Sequence, residues 1–172
     1  LDGAAALKGI AIGIETMCRL STVAPTKVHR AGFHPTAIFG AVGAAAGVAT
    51  ALGLPKKQTV DALGIVGSQA GGLMAAQEGA MVKRFHSGRA AQSGVYSALL
   101  AKSGFTGIAD VLEAPYGGYL SCYSDQPDPA RLTAGLGTTW ETLNVGYKPH
   151  ASVTSIHTAL DGLAEIMRGQ QL

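Results

Sequence analysis

Charge is scarce in this 172-residue chain: 14% of its residues are Asp, Glu, Lys or Arg, against 47% hydrophobic ones. So apolar a composition excludes a disordered chain, and the length suits one domain with a real core. The 13 basic and 11 acidic residues leave a formal net charge of +2, too little to imply a nucleic-acid partner. Long uninterrupted apolar runs are missing too. The nearest, Ala37 to Leu54, is broken by Gly40, Gly43 and Gly47 and reads as a buried helix of a globular protein rather than a membrane span. Only two cysteines occur, Cys18 and Cys122, which form neither a CxxC pair nor a disulfide framework. Reduced thiols in an intracellular, cytoplasmic protein are expected.

Several catalytic signatures are also lacking. The five histidines (His29, His34, His86, His150, His157) include no HExxH and no close Cys/His set, so no metal site is expected. No GxGxxG follows a strand pattern, which removes a dinucleotide fold. No Ser or Cys sits in a GxSxG elbow, which removes an acyl-transfer nucleophile of that type.

What is abundant is glycine, 24 residues of it, with alanine beside it. Helices rich in these residues can bring their backbones close together. Leu7, Ile10, Ile14 and Met17 recur at helical spacing. A second helix is expected from about Thr36 to Leu52, stopped by Gly53, and a third opens after Pro55. Leu73 to Met81 suits one or two helical turns. Ser87 to Lys102 reads as a helix with Ala91, Val95, Ala98 and Leu99 on its apolar side, ending at Gly104. Ile108 to Glu113 suits a short helix, and Pro115 to Asp125 a Gly- and Tyr-rich loop. Another short helix is expected after Pro127 and Pro129.

Trp140 to Tyr147 is the best strand candidate, and a last helix carries Val153, Ile156, Leu160, Leu163 and Met167. A domain boundary is therefore placed near Asn144, giving units 1–143 and 144–172. The sequence begins directly in a helical pattern and stops just after an amphipathic one, so both ends read as cut from something longer. Low charge and many small residues further suggest that much of the surface is covered by another segment or a second subunit.

Basic residues gather in three places, each ahead of an expected helix. These are Val28-His29-Arg30-Ala31-Gly32-Phe33-His34-Pro35-Thr36, Met81-Val82-Lys83-Arg84-Phe85-His86-Ser87-Gly88-Arg89, and Tyr147-Lys148-Pro149-His150. A helix start offers free N–H groups and a partial positive charge, and adding cations there is unfavourable unless an anion arrives. Each cluster taken alone is more readily read as a solvated helix start.

These segments, with their surroundings, resemble the MmgE/PrpD family. Gly32-Phe33-His34-Pro35-Thr36 followed by Phe39-Gly40-Ala41-Val42-Gly43 is similar to the family's GFH stretch. Lys83-Arg84-Phe85-His86-Ser87-Gly88-Arg89-Ala90-Ala91-Gln92-Ser93-Gly94 resembles its K-x-x-H-x-G-x-A-A-x-x-G segment. Gly104-Phe105-Thr106-Gly107 and Gly117-Gly118-Tyr119 agree in order and spacing, and Tyr147-Lys148-Pro149 with Ile156-His157 looks like the lysine-led opening of the second domain.

The resemblance implies a mainly α fold: part of a large all-helical domain, followed by the beginning of a smaller α/β lid domain. It implies a homodimer and a lyase for a small di- or tricarboxylate that needs no metal or organic cofactor. His34, Lys83 and Lys148 are then the expected catalytic residues, His34 for acid–base work and the lysines for substrate carboxylates. Arg84, His86 and His150 are expected to bind substrate. Dehydration of a hydroxy-tricarboxylate such as 2-methylcitrate comes first among the family's reactions, with epimerisation and decarboxylation as alternatives. Val153 stands where some members carry a histidine five residues after the lysine, which weighs against the decarboxylase arrangement. A different class of reading is a helical binding or assembly fragment without activity.

Overall fold

The computed structural model describes residues 1–170. The chain divides into two compact units, 1–142 and 143–172. The first unit is built from helices. Those that frame it are α1 (Gly3–Val23), α3 (Pro35–Ala51), α4 (Lys56–Val66) and α5 (Val82–Lys102). Single-turn helices accompany them, α2 (Lys27–Arg30) between α1 and α3, and α6 (Tyr119–Tyr123) and α7 (Ala130–Thr133) after α5. Among the described residues no helix is long and apolar enough to cross a membrane.

α3 is the central helix. Its alanines and glycines are nearly all buried, and Ile38, Phe39 and Val42 join Leu20, Val23, Val28, Val66 and Tyr119 in the main core. Small residues let α1 and α5 pack backbone to backbone against it. A methyl group added at Gly43 would come within 2.7 Å of the Gly13 carbonyl oxygen, and one at Gly47 within 2.6 Å of the Gly9 oxygen. Across the other side, a methyl at Gly94 would lie 2.6 Å from the Ala44 backbone carbon. Dispersion between the backbones replaces side-chain interdigitation along this seam.

Several expectations need correction. α5 begins at Val82, not near Ser87, because no Pro or Gly interrupts residues 81–87. Its buried face is His86, Ala90, Ser93, Gly94, Ser97, Ala98 and Ala101, while Val95 and Leu99 are exposed. The small residues, not the large ones, face α3. Residues 108–113 form turns rather than a helix, since the Val111 and Leu112 carbonyls accept from the N–H groups of Tyr119 and Leu120. The presumed loop 115–125 contains α6.

Trp140 to Tyr147 forms no strand, and among the described residues there is no sheet, only an isolated antiparallel bridge between Phe33 and Leu73. Residues Glu141–Asn144 form a 3-10 turn instead. The N–H groups of Glu141 and Thr142 donate to the Glu15 carboxylate (3.2 and 2.9 Å) rather than to a neighbouring strand. Glu15 also pairs with Arg19 one turn on (2.7 Å), and both are buried. Arg19 donates to the carbonyls of Leu132, Ala134 and Thr139, so the pair fastens the 130–142 segment to α1. Burial by itself raises the Glu15 pKa. Hydrogen bonds from the Thr142 backbone and hydroxyl, from Arg19 and from the Glu141 N–H outweigh it and hold the value at about 2. The second unit comprises a 3-10 turn (Thr154–Ile156) leading into α8 (His157–Gln170). Among the described residues of this unit no strand occurs.

Stability measurements on three variants check this packing. Gly94→Ala overpacks the α3–α5 seam and should destabilise the protein by roughly 1–3 kcal/mol in denaturant unfolding. Gly88→Ala, on the same helix but with open space around it, should be neutral or stabilising by up to ~1 kcal/mol through helix propensity. Glu15→Gln leaves Arg19 as an uncompensated buried charge and should cost ~3–5 kcal/mol. Because the Glu15 pKa is lowered on folding, its contribution is complete above the usual carboxylate range and is lost as the pH falls towards 2.

Candidate active site

Two segments far apart in sequence meet where α3 begins. Residues 32–34 run beside 72–74: the His34 N–H donates to the Gly72 carbonyl (2.9 Å) and the Met74 N–H to the Gly32 carbonyl (2.8 Å). Phe33 packs edge-on against Tyr123 (4.9 Å between centroids), whose hydroxyl donates to the Ala70 carbonyl (3.1 Å). Tyr119 donates to the Ile38 carbonyl (2.6 Å) and closes the same corner. His34 is the N-cap of α3, with Pro35 at the first helical position, where its missing N–H costs nothing. The backbone around His34 is thus fixed on both sides.

His86 reaches this corner from the second turn of α5. It is buried, and its Nδ1 lies 2.9 Å from Nδ1 of His34. Gly72 makes room for the ring. A methyl group there would meet His86 Nδ1 at 3.1 Å and Ala37 Cβ at 2.7 Å. Among the described residues no hydrogen bond engages Nε2 of either ring. Lys83 stands one turn before His86 and is half-buried.

The electrostatics follow from this placement. Burial, then the neighbouring His86, Lys83 and His29, lower the His34 pKa below the usual histidine value. His34 is therefore neutral at physiological pH, with one nitrogen free to accept a proton. When it does become protonated, it is a stronger acid than an ordinary histidine. A cation at Lys83 beside a neutral imidazole suits an anionic substrate that must gain or lose a proton.

Of the residues expected from the sequence, the structure brings His34, Lys83 and His86 together in the first unit. Lys83, Arg84 and His86 lie within α5 rather than in a loop ahead of it. Arg84 is exposed. Lys148 and His150 belong to the second unit. There Lys148 donates to the Ser152 carbonyl (3.3 Å), and His150 meets Asp161 (2.8 Å) and stacks edge-on to His157 (5.1 Å). Gly72 escaped sequence reading, since a glycine in a Gly-Gly pair does not show which ring it makes room for. No group of three or more His, Cys, Asp or Glu suited to a metal occurs among the described residues. An apolar groove of about 460 Å³ runs between α1 and α3, lined by residues such as Ile10, Gly13, Met17 and Gly43. It presents no cation and does not suit a carboxylate.

The chain is similar to several known proteins. The MmgE/PrpD N-terminal domain model matches residues 2–131. A cis-aconitate decarboxylase-like protein, oryM, from Aspergillus oryzae is 37% identical over 94% of this chain and 35% of its own length. The cis-aconitate decarboxylase of Aspergillus terreus is 36% identical over 80% of this chain and 29% of its own. The human enzyme of that name is 32% identical over 79% and 28%. The chain spans about a third of the length of these relatives.

An NMR titration of the ring protons checks the electrostatics. His34 should titrate below the usual value of about 6.5, and Lys83→Gln should move its midpoint upwards by removing a nearby positive charge. With the folded pKa depressed, the His34 contribution to stability is complete above the unfolded value. It is lost as the pH falls through the folded one.

Proposed function

The chain belongs to the MmgE/PrpD family, and from that membership we propose that it carries the histidine site of a lyase that decarboxylates cis-aconitate or a close tricarboxylate analogue. The observation that carries the reading is the buried His34–His86 pair with Lys83 beside it. Decarboxylation stands ahead of dehydration of 2-methylcitrate because the fungal and human relatives alike are named cis-aconitate decarboxylases.

The chemistry asks for what this corner offers. When a carboxylate next to an allylic carbon leaves as carbon dioxide, the electron pair of the broken C–C bond shifts the double bond. The far carbon must then take a proton. In this reading Lys83 holds a carboxylate that stays behind, and protonated His34 delivers its Nε2 proton to that carbon. Fixed positive charge lowers the cost of the electron density that builds up as the bond breaks. No metal or organic cofactor enters this scheme.

Incubating the intact protein separately with cis-aconitate and with 2-methylcitrate, and following products by NMR, tests the proposal. Carbon dioxide release from cis-aconitate with formation of a dicarboxylate supports it. Loss of water from 2-methylcitrate with cis-aconitate untouched overturns it. Lys83→Ala should weaken substrate binding by about 1–3 kcal/mol, the worth of a charge-assisted hydrogen bond.

A further inference from the structure

We propose that His86 is a positioning residue that fixes the tautomer of His34 by accepting a hydrogen bond from its Nδ1–H, leaving Nε2 of His34 as the nitrogen that exchanges protons with substrate. The proposal rests on His34 being the acid–base group, and it assigns His86 a role apart from substrate binding.

The geometry admits one proton between the two Nδ1 atoms, which lie 2.9 Å apart. Two neutral arrangements are then available. Either His34 holds Nδ1–H and His86 accepts, or His86 donates and His34 carries its proton on Nε2. Acid–base work by His34 selects the first. As a base, neutral His34 needs an unprotonated Nε2, so its proton sits on Nδ1. As an acid, imidazolium His34 carries protons on both nitrogens, and Nδ1–H is present again. After Nε2 gives up its proton, the neutral base form is regenerated with no rearrangement at Nδ1. His86 Nδ1 therefore acts as acceptor in both halves of the cycle and keeps its own proton on Nε2. The second arrangement would make His34 deliver a proton from a neutral ring, leaving an imidazolate.

The surroundings hold His86 to this task. It is 6% exposed. Its helix packs closely on α3 at Gly94 and Ala44, and Gly72 leaves just enough space beside the ring. On the His34 side, the backbone bond to Gly72 and the N-cap geometry prevent the ring from drifting away. A residue that acts only by orienting a catalytic imidazole leaves its mark on turnover more than on substrate affinity.

Selective ¹⁵N-histidine NMR of the intact protein at neutral pH reads the tautomers directly, with or without activity. A protonated Nδ1 on His34 and an unprotonated Nδ1 on His86 are expected, and the reverse pattern overturns the proposal. Two variants supply the functional readout. His86→Ala should lower kcat by roughly 10²-fold, the usual cost of a misplaced catalytic group, while KM changes by about threefold or less. His86→Asn, whose amide oxygen can accept from Nδ1–H, should recover most of that loss. Equal losses in the two variants, both folded by circular dichroism, would also overturn it. If the wild-type protein turns over neither acid while the NMR pattern is as expected, the reaction assigned above fails and the tautomer assignment stands.

Discussion

The close approach of three helix backbones is the constraint on which the rest of the first unit depends. α1 and α5 lie against α3 at glycine, so near that a single methyl group on Gly43, Gly47 or Gly94 would collide with backbone atoms of the neighbour. Such a seam gains little from large side chains and much from continuous contact over its length. It also fixes the relative translation of the helices. A helix that meets its partner through glycine positions has few other registers in which the backbones fit.

That register delivers the site. His34 caps the start of α3, and His86 sits two turns before Gly94 on α5. Locking Gly94 against Ala44 therefore sets how far His86 stands from the cap. Tyr119, Tyr123 and the short 32–34/72–74 pairing then finish the corner from the other side. The buried Glu15–Arg19 pair does a separate job: it ties the 130–142 segment to α1 by six hydrogen bonds from or to the two side chains. Charge, so sparse in the sequence, is used here to hold the backbone groups of that segment.

Much of the helical frame is legible in the sequence because punctuation marks it: Pro35, Gly53 and Pro55 bound α3 and start α4 close to where the pattern places them. Apolar periodicity served less well for α5. Its exposed Val95 and Leu99 look like a core stripe, whereas Ala90, Gly94 and Ala98 are the residues that pack, since a seam this tight selects for small volume over hydrophobicity. The strand expected near Trp140 failed for a related reason. β-propensity cannot register that a carboxylate 126 positions away takes the N–H groups a ladder would need. For the candidate site, His34 and Lys83 were reachable through motif resemblance. The contact between His34 and His86 was not, because a separation of 52 residues leaves no periodic trace.

The most direct measurement is the two-bond nitrogen–nitrogen coupling across the His34–His86 hydrogen bond, recorded on protein labelled with ¹⁵N at histidine. The packing of α5 on α3 predicts a resolved coupling between the two Nδ1 atoms at neutral pH. A natively folded protein that shows no such coupling would contradict the claim that the glycine seam builds this pair.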